Sequence, residues 1–290
     1  MFCLVSQHAC SGGVQQFYRH DSIEIGLPMR FSVFLPPETG KQLTPVLFYL
    51  SGLTCTEETF PSKAGAQRLA AAHGFALVAA DTSPRGAELP GEADDWDFGI
   101  GASFYVDATQ QPWNRHYRMY SYIADELVPA VQREFGLDPE RTGIFGHSMG
   151  GHGALVLALR NPLVFRSVSA FAPIAAPTQC AWGQKAFSAY LGDDRVAWQQ
   201  YDATALVLAG GHKFREGILI DQGLDDPFLV DQLHPYKFAQ ACEKVGQSLR
   251  LRRHAGYDHG YYFVSTFMND HFEHHARALN TSQLSPRKRT

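Results

Sequence analysis

Thr142-Gly-Ile-Phe-Gly-His-Ser-Met-Gly-Gly-His-Gly-Ala-Leu155 decides the fold. A short β-run, Thr142–Phe145, enters the pentapeptide Gly146-His147-Ser148-Met149-Gly150, and an apolar helix-forming run, Ala154–Leu159, leaves it. The pentapeptide fits G-x-S-x-G, the pattern of a serine held on a sharp strand-to-helix turn. Glycines flank the serine because side chains there would collide as the chain reverses. The helix that follows points its positive end at the serine, where negative charge can develop. The context, strand before and helix after, predicts that Ser148 is a nucleophile rather than part of a chance glycine-rich turn.

A serine hydroxyl is a weak nucleophile without a base. In this arrangement the acid and the histidine follow the serine in chain order. Ile218-Leu-Ile-Asp-Gln-Gly-Leu-Asp-Asp226 reads as a strand running into an acidic loop and offers three carboxylates: Asp221, Asp225 and Asp226. Asp221, at the strand end, suits a buried loop anchor. Asp226 is favoured because a G-x-x-D loop lets its carboxylate reach back to an imidazole, with Asp225 second. Of the later histidines, His234, His254, His259, His271, His274 and His275, only His259 lies in a short loop, Gly256-Tyr-Asp-His-Gly260, between the last strand and the last helix. His271, His274 and His275 read as a solvated polar face of that helix. An oxyanion hole needs two backbone N–H groups. Met149 supplies one, and Leu53, in the turn Ser51-Gly-Leu-Thr54 after the strand Pro45–Leu50, supplies the other.

Outward from these motifs, β-runs alternate with helical patterns, which predicts an α/β class with a mostly parallel central sheet flanked by helices on both faces, the α/β-hydrolase fold. The strands are read at Met29–Leu35, Pro45–Leu50, Ala76–Ala80, Thr142–Phe145, Ser167–Phe171, Ile218–Ile220 and Leu249–Arg253. The helices are read at Ser62–Ala72, Ser121–Phe135, Gly150–Arg160, Pro235–Val245 and Tyr261–Ala278. Two long segments, Thr82–Tyr120 and Ala176–Thr204, fit no alternation and are expected to build the site, as loops at the carboxyl ends of parallel strands do. Residues 1–280 are expected to form a single domain and 281–290 a frayed polar tail.

The 290 residues are 45% hydrophobic and 19% charged with a net charge of −4, ordinary globular material with no electrostatic pull toward nucleic acid or anionic membranes. Five scattered cysteines without C-x-x-C spacing indicate neither a disulfide framework nor structural zinc. The N-terminus lacks a secretory pattern and no run is long enough for a membrane span, so a soluble protein of a reducing compartment is expected. Gly150-Gly-His-Gly153 lacks the G-x-G-x-x-G spacing of a dinucleotide site, and all three catalytic positions are filled, which argues against a non-catalytic binding protein.

Longer blocks carry a resemblance. Ser51-Gly-Leu-Thr-Cys-Thr-Glu57, Asp81-Thr-Ser-Pro-Arg-Gly86, Trp96-Asp-Phe-Gly99, Tyr117-Arg-Met-Tyr-Ser-Tyr122, Phe145-Gly-His-Ser-Met-Gly-Gly-His-Gly-Ala-Leu155 and Gly256-Tyr-Asp-His259 resemble S-formylglutathione hydrolase, the esterase D family, in order from about Gly13 to about Asn280. The resemblance implies a cytoplasmic, homodimeric, cofactor-free thioesterase that releases formate and glutathione in formaldehyde detoxification. It also implies carboxylesterase activity on small acyl esters. The alternative is a general short-chain carboxylesterase with another substrate. By position it assigns Ser148, Asp226 and His259 as nucleophile, acid and base, and Leu53 and Met149 as oxyanion donors. Val207–Glu216 looks divergent, and Gly260 stands where relatives often have serine. A formyl group needs a small acyl pocket, for which Trp182 and Phe104 are candidate walls, with packing of the long loops as the commoner role for such aromatics. Lys63, Arg85, Arg115 and Arg118 lie in or near the long loops where cations could meet the glutathione carboxylates, but each reads more often as a surface or loop-anchoring charge and none is taken as a binding residue; Cys55, two residues past Leu53, is a candidate for mixed-disulfide formation, with a small buried hydrophobe as the alternative.

Overall fold

In a computed structural model, residues 1–37, 39–40, 42–211 and 213–280 are described. The tail expected at 281–290 lies outside them. Among the described residues one nine-stranded sheet runs through the chain, with strands β1 (Cys3–Cys10), β2 (Gly13–Asp21), β3 (Pro28–Leu35), β4 (Thr44–Leu50), β5 (Ala76–Ala80), β6 (Leu137–His147), β7 (Ser167–Phe171), β8 (Ile218–Gly223) and β9 (Leu249–His254). Their spatial order is β1-β2-β3-β5-β4-β6-β7-β8-β9. The first three strands and the β3–β5 pair are antiparallel. From β5 to β9 every pair is parallel. Strands β5, β7 and β8 are buried at every residue, because helices cover both faces of a parallel sheet.

Three helices show how the faces are covered: α1 (Gln67–His73), α2 (Met149–Arg160) and α3 (Tyr261–Asn280). Successive strand side chains point to opposite faces. On β6, Gly146 abuts Gly150 of α2, while the Phe145 ring lies 5.5 Å from the His275 ring of α3. Helices α2 and α3 therefore lie on opposite sides of the sheet, and α1 packs beside α3.

The seven expected strands are all present. The β1–β2 hairpin is an addition: apart from the polar Gln15 and His20 its residues are half-buried or exposed, so the hydrophobic alternation that marks a strand is weak there. The helix expected at Ser62–Ala72 is two short helices, Thr59–Lys63 and Gln67–His73, parted at Gly65, which takes the left-handed conformation (φ +63°). The helix expected over Ser121–Phe135 opens into a wider π-turn at Tyr122–Leu127 before regaining α geometry at Val128–Phe135. The segment Ala176–Thr204, left outside the alternation, contains helices Ala181–Leu191 and Arg195–Gln199, the second capped by Asp194.

Candidate active site

Strand β6 delivers Ser148 with φ +59° and ψ −121°, a conformation that costs a non-glycine residue about 1–3 kcal/mol. Surrounding backbone holds it there. Ser148 N–H donates to the Phe171 carbonyl at 3.0 Å, and the Ser148 carbonyl accepts from His152 N–H at 3.0 Å and Ile174 N–H at 3.3 Å. The flanking glycines are obligatory for close approach. A Cβ on Gly146 would stand 2.2 Å from the Gly150 carbonyl oxygen, and one on Gly150 would stand 1.9 Å from that of Leu50.

Asp226 sits on the loop after β8, as the sequence predicts. Its Oδ2 accepts from His259 Nδ1 at 2.5 Å and from Gln222 Nε2 at 3.2 Å, and its Oδ1 accepts from Phe228 N–H at 2.9 Å. The side chain is fully buried, so the carboxylate has a fixed direction. Asp225 is exposed and turns away. His259 lies in the loop between β9 and α3 and shares a cavity of about 200 Å³ with Ser148.

Gly52, Leu53, Cys55, Trp96, His147, Trp182, Phe228 and Tyr261 complete the cavity wall. Gly52 faces the nucleophile: a Cβ there would be 3.0 Å from Ser148 Cβ. The turn carrying Leu53 is tethered by Thr54 N–H to the Gly101 carbonyl at 2.9 Å and by the Cys55 carbonyl, which accepts from Thr82 Oγ1 at 2.5 Å and Arg85 Nη2 at 3.2 Å. Among the described residues no acceptor engages Leu53 N–H. Met149 opens α2, where the first N–H groups have no intrahelical partner. Leu53 thus shares a cavity lining with Ser148, and Met149 follows Ser148 at the start of α2.

Trp182 lines the cavity. Its ring meets Trp96 edge-on at 5.5 Å and Phe228 at 4.8 Å, and Phe228 meets His259 edge-on at 5.0 Å. Phe104 does not line it and packs the loop instead, the commoner role for such an aromatic. It is fully buried against His152 and Phe187, and its N–H contacts Met149 Sδ. None of the four loop cations lines the cavity, which fits the reading that took none of them as a binding residue. Arg85 grips Asp81 and the Cys55 carbonyl, Arg118 pairs with Glu24, and the Lys63 ammonium lies 5.9 Å from the Tyr261 ring centre. Sequence reasoning gave no role to His147, Phe228 or Tyr261. Positions one before the serine, two after the acid and two after the histidine were the available signal.

Behind the site, the expectation for the α3 histidines is overturned: His271, His274 and His275 are buried. The face they occupy meets polar atoms of β7 and β8. His275 contacts Ser167 and Ser169 Oγ at 2.6 and 2.9 Å, His271 contacts Ser169 Oγ at 2.8 Å and Asp221 Oδ2 at 3.2 Å, and His274 donates to the Val168 carbonyl at 3.0 Å. Asp221 is the buried anchor expected. Burial alone would raise its pKa, but His271 and the forked Arg252 guanidinium at 2.6 and 2.5 Å hold it well below the usual carboxylate range. The His271 ring also stacks at 3.6 Å on Phe171, whose carbonyl holds Ser148 N–H.

The Esterase family model matches residues 22–275. The chain is 53% identical over 278 residues to the S-formylglutathione hydrolase of Mus musculus, covering 95% of this chain and 98% of that protein. It is 54% identical over 269 residues to the S-formylglutathione hydrolase of Arabidopsis thaliana, covering 92% and 94%. The solved structure of an S-formylglutathione hydrolase from Agrobacterium tumefaciens superposes with a TM-score of 0.92 at 46% identity, covering 95% of this chain and 99% of that one. With that fold and these relatives, the chain belongs to the S-formylglutathione hydrolase family of esterases.

Proposed function

We propose that the chain hydrolyses S-formylglutathione to formate and glutathione through a formyl-enzyme on Ser148. Ser148 Oγ attacks the formyl carbonyl while His259 takes its proton. Asp226 fixes the imidazole tautomer and stabilises the imidazolium. Leu53 and Met149 N–H groups hold the oxyanion, a contact whose loss typically costs on the order of a hundredfold or more in rate. The thiol of glutathione leaves with the proton from His259. Water then attacks the formyl ester with His259 again as base, and formate departs. The same steps serve small acyl esters, and no cofactor enters any of them.

The observation that carries this reading is the 2.5 Å contact of Asp226 with His259, at a cavity His259 shares with the strained Ser148. A cavity of about 200 Å³ with aromatic walls suits a small acyl group better than a long one. Residues 1–280 are read as one hydrolase unit, because a single sheet draws strands from Cys3 to His254 and α3 packs across it. A cytoplasmic homodimer is carried over from the family resemblance. Among the described residues no helix is long and apolar enough to cross a membrane.

The test follows thioester loss from S-formylglutathione, together with labelling by a fluorophosphonate and mapping of the labelled peptide. The reading predicts turnover and a label on Ser148, both lost in Ser148→Ala. A label elsewhere, or turnover that survives the substitution, would contradict it.

A further inference from the structure

The turn that carries Leu53 needs help to keep its shape. Cys55 N–H donates to the Gly52 carbonyl at 3.3 Å, which closes a four-residue turn with Leu53 and Thr54 at its centre. Thr54 takes φ +67°, while Leu53 does not have a positive φ. A positive φ at the third position is the pattern of a type II turn, where glycine is the usual residue. A β-branched threonine is strained there, so its surroundings must hold it. Among the described residues the holds come from the long segment that follows β5. Tyr105 Oη donates to the Ser51 carbonyl at 2.9 Å, just before the turn. The Gly101 carbonyl accepts from Thr54 N–H at 2.9 Å, at its tip. The Cys55 carbonyl, at its end, accepts from Thr82 Oγ1 at 2.5 Å and from Arg85 Nη2 at 3.2 Å.

Arg85 is itself anchored. Its Nε and Nη2 fork onto the Asp81 carboxylate at 3.1 and 2.8 Å, so the two hydrogens of Nη2 serve Asp81 and the Cys55 carbonyl together. Asp81 is 3% exposed and fixed to the sheet: its N–H donates to the Arg30 carbonyl at 3.1 Å, and its Oδ1 accepts from Thr82 N–H at 2.7 Å. Arg85 lines a cavity of about 390 Å³ with Arg30, Glu57 and Asp81, and not the cavity of Ser148. Its route to the reaction therefore runs through the turn. We propose that Arg85 is a positioning residue that aims the Leu53 N–H at the oxyanion. The Gly52 carbonyl and the Leu53 N–H are opposite edges of one planar peptide. Cys55 N–H holds the carbonyl edge, and Arg85 holds Cys55 by its own carbonyl, so the N–H edge keeps one direction. A donor aimed in advance costs no reorganisation when charge develops on the substrate oxygen. Losing that aim weakens the transition state and spares ground-state binding, which places the effect on kcat rather than KM. The inference rests on the oxyanion reading above, and the experiment separates the two.

The test uses a short-chain trifluoromethyl ketone. Ser148 Oγ bonds to the ketone carbon, the Ser148 proton passes to His259, and the carbonyl π pair becomes an oxyanion. Affinity is read by fluorine NMR titration, beside kcat and KM for 4-nitrophenyl acetate, in wild type, Arg85→Met, Arg85→Lys, Leu53→Pro and Ser148→Ala, each checked for folding by circular dichroism. The Arg85 side chain is 37% exposed, so methionine there leaves no buried void. Should Arg85→Met fail to fold, Arg85→Lys carries the same comparison. Arg85→Met should lower kcat and ketone affinity together by about tenfold or more, with KM within about twofold of wild type. Arg85→Lys, which keeps the charge without the fork, should recover part of both. Leu53→Pro removes the N–H at the turn position that accepts proline and should cost about a hundredfold or more in ketone affinity. A raised KM with kcat unchanged would overturn the proposal, since it would make Arg85 a substrate cation. So would a fall in kcat with ketone affinity intact, or wild-type behaviour of both Arg85 variants where Leu53→Pro is impaired. If Leu53→Pro or Ser148→Ala binds the ketone as wild type does, the oxyanion or nucleophile reading itself fails instead.

Discussion

His259 Nδ1 lies 2.5 Å from Asp226 Oδ2, whereas Asp225, one residue earlier, faces solvent. The two acids share a loop and differ in what the backbone does with them. Asp225 N–H is tied to the Tyr257 carbonyl at 3.0 Å, while Asp226 turns inward to collect three donors. If Asp226 holds the imidazole, Asp226→Asn presents an amide to the wrong tautomer and should lower kcat roughly a thousandfold or more. Asp225→Asn should leave kcat near the wild-type value. Steady-state assays of both variants decide, and the reverse pattern would move the acid by one residue.

The elbow depends on backbone contact rather than on side-chain chemistry. Gly150→Ala would drive a Cβ to 1.9 Å from the Leu50 carbonyl oxygen and 2.3 Å from its carbon, and β4 is a buried strand paired on both sides. Such overpacking should cost about 3 kcal/mol in urea denaturation, with activity falling in parallel because α2 can no longer close on Ser148. A variant with wild-type stability would show that β4 yields at this point.

The histidines behind the sheet give stability a pH dependence. Burial, then the neighbouring His271, lowers the His274 pKa from 6.5 to about 4, and burial with its two histidine neighbours pushes His275 well below 6.5. An unfolded chain binds protons at these sites near pH 6.5 while the folded chain does not. The unfolded state therefore holds more protons between pH 6.5 and about 4, and stability falls as pH drops through that window. Above pH 6.5 the contribution is complete, about 3 kcal/mol for His274 alone. Asp221 acts in the same direction at lower pH, since its paired carboxylate must be protonated before the clamp opens. Urea midpoints measured from pH 7.5 to 4.5 should decline, and His274→Gln should flatten the decline. A flat wild-type profile would contradict the account.

Trp182 lines the cavity together with Trp96 and Phe228. Trp182→Ala should shift preference along a series of 4-nitrophenyl esters from acetate toward butyrate and longer chains. A single methylene in an apolar pocket is worth about 1–3 kcal/mol, so the ratio should move about tenfold or more. An unchanged ratio would remove Trp182 from the specificity wall.

The residues that make the elbow were legible because geometry forces their identity. Gly146 and Gly150 leave no room for side chains, and a strand and a helix flank them. His259 and the acidic loop after β8 were legible from order along the chain and from the loops that hold them, while the choice of Asp226 over Asp225 rested more on its position in the family resemblance than on physics. The β1–β2 hairpin was not, because its strands lie at the sheet edge with little buried surface to impose alternation. The α3 histidines misled because imidazoles at helical spacing look the same whether they face water or a row of buried serines. Their partners Ser167, Ser169 and Asp221 lie on strands far away in sequence. Arg85 anchors a loop, the commoner reading of a cation there, although nothing in the sequence marks its partner as Asp81, four residues before it.

The central claim is tested most directly by kcat/KM for S-formylglutathione against 4-nitrophenyl acetate, in wild type and in Ser148→Ala. The account predicts a strong preference for the thioester, with both activities abolished by the substitution. A preference for the aryl ester would leave a general esterase with another physiological substrate, and thioester hydrolysis that persists without Ser148 would contradict the mechanism outright.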